Sequence, residues 1–148
     1  MSLIKVCKPF PELTPFELYD ILRLRSEVFV VEQNCVFLDM DNKDQACHHL
    51  MLYQNNHLAA CARLLPPGLY YDQMSIGRIV TSPQTRGTGV GKELVSTAIE
   101  ECYQIFGTGP IKIGAQLYAK AFYERFGFTQ TGEVYDEDGI DHIHMIKA

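Results

Sequence analysis

The chain has 148 residues, of which 47% are hydrophobic and 21% charged, values typical of one globular domain with a sizeable core. Its formal net charge of −5 at pH 7 disfavours a nucleic-acid partner, which would require clustered Lys and Arg. The sequence contains no apolar run of transmembrane length and no signal-peptide pattern. We therefore expect a single domain over residues 1–148, a cytoplasmic location and no membrane partner.

The five cysteines are an odd number and never occur as C-x-x-C. This pattern argues against a disulfide framework and against a cysteine-based zinc site. Cys61 and Cys102 lie among apolar residues, so we expect them to be reduced thiols in the core.

The first helix has a clear start signal. Thr14-Pro15-Phe16-Glu17 is a capping box with proline at the first helical position. Apolar residues then recur at helical spacing, at Leu18, Ile21, Leu22, Val28 and Phe29. Arg25 falls on this apolar stripe, and we interpret it as a packed stem beneath a solvated guanidinium.

An acidic segment follows this helix and contains Asp39, Asp41 and Asp44. It does not match a calcium loop, because Lys43 and Asp44 occupy the positions where an EF-hand requires an oxygen ligand and a glycine. We predict a solvated loop without a metal, whose alternative role is to attract a cationic substrate.

The remaining elements alternate between strand and helix patterns. Asn55-Asn56 separates two apolar runs and predicts a tight hairpin turn, because asparagine tolerates positive φ. The sequence as a whole predicts a mixed α/β or α+β fold. The predicted strands are Leu3–Cys7, His49–Gln54, His57–Leu65, Met74–Thr81, Ile111–Ala115, Phe128–Val134 and His142–Lys147, with helices over 87–106 and 117–125 and an acidic loop over 136–139.

A glycine-rich turn between a strand and a helix is the main functional signal. The free N–H groups and partial positive charge of a helix start favour an anion, and glycines let it approach the backbone. A P-loop is excluded because Arg86 replaces its first glycine and Glu93 its Ser or Thr. A dinucleotide fingerprint is excluded because Lys92 replaces its third glycine. We predict that the turn binds a pyrophosphate.

Two motifs resemble those of one enzyme family. Gln84-x-x-Gly87-x-Gly89 resembles the acyl-CoA-binding signature Q/R-x-x-G-x-G/A of the GCN5-related N-acetyltransferases (GNATs). About thirty residues later, the segment 116–128 is similar to the second motif of that family, and the two motifs occur in the expected order. The run from Arg25 to Gln33, with the following acidic loop and His48-His49-Leu50, resembles the ElaA-like branch.

The resemblance implies the GNAT fold, a twisted and mostly antiparallel sheet flanked by helices, and acetyl-CoA as cosubstrate. It implies that the Val80 N–H stabilises the oxyanion and that Tyr123 protonates the departing thiolate. Gln116 stands where the family often has an asparagine that contacts the cofactor arm. The implied cofactor-binding residues are Ile79, Val80, Thr81, Arg86, Gly87, Thr88, Gly89, Val90, Gly91, Gln116 and Tyr123.

Several questions stay open at this point. The general base could be Glu32, which borders the family's acceptor region, one of the strand histidines, or a water relay. Among those histidines, His48 and His49 should face opposite sides of a strand, whereas His142 and His144 should share a face. The acceptor is expected to be a primary amine of a small molecule or a protein, and a homodimer is one alternative for the assembly. A non-catalytic acyl-CoA sensor and an acyltransferase with a longer acyl donor are the alternative functions.

Overall fold

A computed structural model describes residues 2–148 as seven strands and three α-helices. The helices are α1 (Pro15–Arg25), α2 (Val90–Phe106) and α3 (Lys120–Glu124). The strands are β1 (Ile4–Pro9), β2 (His48–Gln54), β3 (His57–Leu65), β4 (Ser75–Thr81), β5 (Ile111–Gln116), β6 (Phe128–Glu137) and β7 (Ile140–Lys147).

The strands form two antiparallel sheets that meet along one edge. The first sheet has the order β1-β2-β3-β4 and the second has the order β5-β7-β6. They are joined by a parallel bridge between Met74 and Ile111, where the Lys112 N–H donates to the Met74 carbonyl at 3.0 Å. The described strands β4 and β5 are not paired beyond this point, so the two sheets separate. This architecture confirms the predicted mixed fold with an antiparallel sheet and flanking helices.

The local start and turn signals act as the sequence predicts. The Thr14 side chain accepts from the Glu17 N–H at 3.1 Å, and the Glu17 carboxylate accepts from the Thr14 N–H at 2.9 Å. Asn55 and Asn56 both have positive φ, 52° and 62°, as a tight hairpin turn requires. The α2 helix buries an apolar stripe against both sheets, including Leu94, Ala98 and Cys102.

The first helix continues in a form that the apolar spacing does not predict. Ser26–Glu32 is a π-helix, in which the Gln33 N–H bonds the carbonyl of Val28 and the Cys35 N–H bonds that of Val30. These bonds span five residues instead of four and rotate the following side chains relative to the α1 stripe.

Some predicted boundaries were wrong. The acidic loop over 136–139 is a two-residue turn at Asp138 and Gly139, whose φ values are 53° and 83°. Asp136 and Glu137 belong to β6, because a tight turn of this kind lets the strands pair up to its edges. The predicted helix 117–125 is a 3₁₀ turn, Leu117–Ala119, followed by α3.

Among residues 2–148, no helix combines the length and the apolar character needed to cross a membrane.

We expect Thr14→Ala to lower the free energy of unfolding by about 1 kcal/mol, because it removes the hydroxyl that caps the Glu17 N–H. Urea unfolding followed by circular dichroism would measure the change. Ser96→Ala, at an exposed position inside α2, is the matched control and should not destabilise the protein, because alanine has the higher helix propensity. Equal stability of Thr14→Ala and wild type would show that the capping box does not stabilise α1.

Candidate active site

A cleft of about 630 Å³ opens where β4 and β5 separate. Ile79, Val80 and Thr81 line it from β4, and Gln116 lines it from β5. Its other walls come from the π-helical segment, the start of the acidic segment, α3 and the turn between β6 and β7. The predicted cofactor strand and the predicted acceptor region therefore lie on the same cavity.

A β-bulge shapes the β4 wall of this cleft. Cys61 pairs with Val80 and Arg63 with Gly77, so two residues of β4 face the single residue Ala62. One of the two, Arg78, has a φ of 46°, a left-handed conformation that is costly for a non-glycine residue. A bulge re-aims the side chains at and after it, here those of Ile79 and Val80.

The glycine-rich turn has the geometry of an anion site. Gly87 and Gly89 have φ values of 81° and 85°, and a Cβ on either one would meet no atom within 4 Å. In the described chain, the backbone N–H groups of residues 86–92 bond no backbone carbonyl. The Glu93 N–H is the first after them to do so, and it donates to the Gly89 carbonyl at 3.1 Å. The amides between them are free to bind an anion at the start of α2.

Arg86 lies at this turn, but its side chain is already paired. Its guanidinium forms two hydrogen bonds with the Glu32 carboxylate, at 2.7 and 2.6 Å. This contact with Arg86 lowers the pKa of Glu32 below its usual value. A carboxylate with a lowered pKa is a weaker base, so the pairing with Arg86 makes Glu32 a poorer candidate for the general base. No observation tests this role directly, and it stays a prediction.

Tyr123 lines the cleft from α3 and is 9% exposed. Phe122 and Phe128 pack edge-on against its ring, with centroids at 5.2 and 6.2 Å. Burial raises the pKa of the Tyr123 phenol well above its usual value, so the hydroxyl keeps its proton at neutral pH. Tyr123 is thus both a packed aromatic residue and a protonated phenol on the cavity wall.

Gln116 meets a residue that the sequence did not single out. The side-chain amides of Gln116 and Gln33 form two hydrogen bonds of 3.3 Å, in which the Nε2 of each donates to the Oε1 of the other. These bonds link the end of β5 to the end of the π-helix. The longer π-helical turn places Gln33 over the cleft. Gln116 stays a predicted cofactor contact.

The acidic segment is not solvated, and this corrects the interpretation of Arg25 as well. The Arg25 side chain is 1% exposed, and its Nε lies 2.7 Å from Asp39 Oδ2. Its Nη1 lies 2.9 Å from Asp44 Oδ1. The stem-and-solvated-head interpretation was therefore wrong, because an arginine this deeply buried requires partners that satisfy its charge.

Two further arginines complete this network, which we call the Arg–Asp network (Arg25, Arg63, Arg78, Asp39, Asp41 and Asp44). Arg63 donates to both oxygens of Asp41, at 2.7 and 2.6 Å, and to Asp44 at 2.9 Å. Arg78 Nη2 donates to the Asp39 carbonyl at 2.7 Å. Its Nε lies 2.8 Å from Asp39 Oδ1 without hydrogen-bond alignment, so that contact is purely electrostatic.

Ionisation of the network follows from these contacts. Burial opposes ionisation of Asp41, but the hydrogen bonds and charge of Arg63 outweigh it and hold its pKa well below the usual range. Burial likewise opposes ionisation of Asp44, and Arg25 and Arg63 together lower its pKa. His49 is buried beside the network, and burial lowers its pKa. Its Nε2 lies 2.9 Å from the Asp44 carbonyl, so that nitrogen carries the proton.

The strand histidines are arranged as their spacing predicts. His48 packs on Phe106, on the opposite side of β2 from the buried His49. His142 and His144 share a face of β7, and both pack on Tyr135, with centroids at 5.8 and 4.6 Å. Of these four, His142 lines the cleft.

Within residues 2–148, no group of three or more His, Cys, Asp or Glu residues is arranged to hold a metal ion. The five cysteines are free. Burial raises the pKa of both Cys61 and Cys102 to about 12, so these two are unreactive core thiols.

Residues 24–148 match the family of the acetyltransferase (GNAT) domain. The chain belongs to the GNAT family. It is 41% identical to protein ElaA of Escherichia coli over 92% of this chain and 90% of that protein. The crystal structure of Escherichia coli ElaA has a TM-score of 0.93, with 37% identity over 99% of this chain and all of that one.

A second solved structure supports the same assignment. An acyl-CoA N-acyltransferase from Pseudomonas aeruginosa superposes with a TM-score of 0.95 and 42% identity, covering 99% of this chain and 100% of that one. The GNAT domain and these neighbours identify the protein as an acyltransferase. The resemblance to the ElaA-like branch of the GNATs is thereby confirmed.

The sequence did not predict two contributors to this GNAT cleft. The Arg–Asp network needs Arg63 and Arg78, and a signal existed for Arg63, since it interrupts the apolar run 58–65 and a buried charge requires a partner. Gln33 carried no such signal, because its position depends on the π-helical register of Ser26–Glu32.

We expect Arg25→Met to lower the free energy of unfolding by about 3–5 kcal/mol, because it leaves the carboxylates of Asp39 and Asp44 buried with fewer partners. The matched control is Arg23→Met on the same helix. Arg23 is 62% exposed and pairs with Glu27 at 3.4 Å, so its loss should cost less than about 1 kcal/mol. Urea unfolding of the two variants would measure the difference, and equal losses would show that the buried network does not stabilise the fold.

Proposed function

We propose that the protein transfers an acetyl group from acetyl-CoA to a primary amine, by direct attack in a ternary complex. The separation of β4 from β5 beside the glycine-rich turn is the observation that carries this proposal. An extended pantetheine arm can bond the free edge of a strand, and the amides at the start of α2 can bind its pyrophosphate. The bound group supplies an activated acetyl thioester.

The chain's own residues then have distinct roles. Arg86 to Gly91 hold the pyrophosphate through backbone N–H groups, since the Arg86 side chain pairs with Glu32. Ile79, Val80 and Thr81 hold the pantetheine arm, and the Val80 N–H donates to the developing oxyanion. Tyr123 donates a proton to the departing thiolate, a role that its burial and protonated state support.

The acceptor enters from the wall formed by the π-helical segment and the turn between β6 and β7. Phe29 and Phe37 line this side, together with the carboxylates of Glu137 and Asp138. An apolar wall with acidic groups suits an amine that carries a positive charge and a short apolar body. A sensor that only binds acyl-CoA would have no use for a proton donor at Tyr123.

We expect acetyl-CoA, but neither ATP nor NAD, to raise the melting temperature of the protein. Binding to the folded state adds about 2.7 kcal/mol at a hundredfold excess over the dissociation constant. Gly89→Trp should abolish the shift, because the indole would occupy the open space at the anion site.

The control for Gly89→Trp is Gly107→Trp at the other end of α2. Gly107 also has a positive φ, 94°, and faces open space, so this variant places an indole at a strained glycine of the same helix but away from the anion site. The control should keep the acetyl-CoA shift. A shift that survives in Gly89→Trp would contradict the pyrophosphate assignment.

We expect Tyr123→Phe to keep the acetyl-CoA shift and to lower kcat by about a hundredfold, because the thiolate loses its proton donor. Release of free CoA, measured with a thiol reagent, would give the rate. Tyr118→Phe is the control, since Tyr118 also lines the cleft but is 82% exposed, and it should be unchanged. Unaltered turnover in Tyr123→Phe would return that residue to a packing role.

A further inference from the structure

His142 lies on the acceptor side of the cleft. On β7 it pairs with Gln116 of β5 and Tyr135 of β6, so the three residues form one row across the second sheet. His142 is 8% exposed and lines the cleft together with Gln116. Cys35 donates to the Asp138 carbonyl at 3.2 Å, which ties the segment after the π-helix to the turn next to His142.

One ring nitrogen of His142 is fixed by the backbone. Its Nδ1 lies 2.8 Å from the carbonyl oxygen of Ile140. A carbonyl can only accept, so Nδ1 carries the proton and Nε2 of the neutral ring has a free lone pair. A second group that orients a base in this way is the usual arrangement for a histidine that takes up protons.

The other nitrogen lies beside a carboxylate. Nε2 is 3.3 Å from Glu137 Oε2, and no aligned hydrogen bond joins the two atoms. In the neutral state both atoms are acceptors, so neither satisfies the other. A primary ammonium has enough N–H donors to reach both, which makes this pair a fitting site for the acceptor nitrogen.

We propose that His142 is the general base of the acetyl transfer and that Glu137 positions the acceptor ammonium against it. This inference rests on the proposed acetyl transfer to a primary amine. It also assigns the acceptor class: a primary amine that arrives protonated, since an uncharged nucleophile would need neither group.

The proton transfers balance as follows. Nε2 of His142 takes one proton from the bound ammonium, and the resulting imidazolium is stabilised by the Glu137 carboxylate. The amine lone pair forms the C–N bond at the thioester carbonyl, and the C–S bond breaks. The thiolate takes a proton from Tyr123, whose phenol is restored by the surplus proton of the new amide. His142 then releases its proton to solvent, so each turnover yields an N-acetyl amine, CoA thiol and one proton.

The other candidate bases fit this role less well. Glu32 is held by Arg86 on the exposed side of the cleft. His49 is buried and donates its Nε2 proton within the Arg–Asp network. His144 packs between Tyr71 and Tyr135, with centroids at 5.6 and 4.6 Å, and does not line the cleft. Glu137 and Asp138 share the His142 end of the cleft, Tyr135 and His144 lie on the same face of the second sheet, and Tyr71 packs on His144.

Comparing the reaction rates of two nucleophiles would distinguish a catalytic base from a residue with only a structural role. n-Butylamine is protonated at pH 7.5 and must lose a proton before attack, whereas hydroxylamine is uncharged at that pH. We expect His142→Gln to lower kcat/KM for n-butylamine by about 10²- to 10⁴-fold and to leave the hydroxylamine reaction little changed. Glu137→Gln, at a 45% exposed side chain, should show the same selectivity with a smaller loss.

His144→Gln is the matched control, because it makes the same substitution two residues along the same face of β7. It should leave both reactions unchanged. Raising the pH toward the point where butylamine is itself unprotonated should partly restore His142→Gln, a rescue that a packing defect would not show. Melting temperatures with and without acetyl-CoA would establish that each variant is folded and binds the cofactor.

Equal loss with both nucleophiles, or no loss with butylamine, would overturn the base assignment while leaving acetyl transfer intact. If wild type binds acetyl-CoA but releases CoA with neither nucleophile, the proposed transferase reaction fails, and the role of His142 fails with it. If acetyl-CoA does not bind, the cofactor assignment itself is wrong. The three failures are therefore distinguishable.

Discussion

The Arg–Asp network is the constraint on which the shape of the cleft depends. It joins α1, β3 and β4 to the segment 39–44, and its three positive and three negative charges cancel. A left-handed residue inside a strand costs about 1–3 kcal/mol and persists where its surroundings hold it. Arg78 is such a residue, and its side chain is anchored by the Asp39 carbonyl and carboxylate. The network thereby fixes the β-bulge that aims Ile79 and Val80 at the cleft.

The two sides of the cleft use different parts of the chain. On the proposed cofactor side, backbone groups of β4 and of the turn before α2 are available, and glycines keep side chains away from the turn. On the proposed acceptor side, the surface consists of side chains from the π-helical segment and the second sheet. A backbone site tolerates many side chains as long as its glycines remain, whereas the acceptor side changes with each substitution.

This difference explains what the sequence could predict. Gly87 and Gly89 indicate a turn with positive φ. Local spacing in the sequence was therefore enough to predict the turn, the helix after it and the family resemblance. The capping box at Thr14 and the hairpin at Asn55 are local for the same reason. The network could not be predicted from local spacing, because Arg25 of α1 and Asp39 are fourteen residues apart and Arg63 lies further along the chain, on β3. Gln33 depends on a change of helical register, and helical spacing cannot reveal an inserted residue.

Charge pairing also decides where a cationic acceptor can be attracted. Arginines neutralise the charges of Asp39, Asp41 and Asp44, and Arg86 neutralises that of Glu32. These four carboxylates therefore attract a further cation only weakly. In the described part of the chain, Glu137 and Asp138 are the carboxylates on the cleft that no Lys or Arg pairs with. The electrostatic attraction for an ammonium group is therefore strongest beside the turn between β6 and β7. That is the same end of the cleft at which His142 presents its free nitrogen, so the proposed sites for attracting and for deprotonating the acceptor coincide.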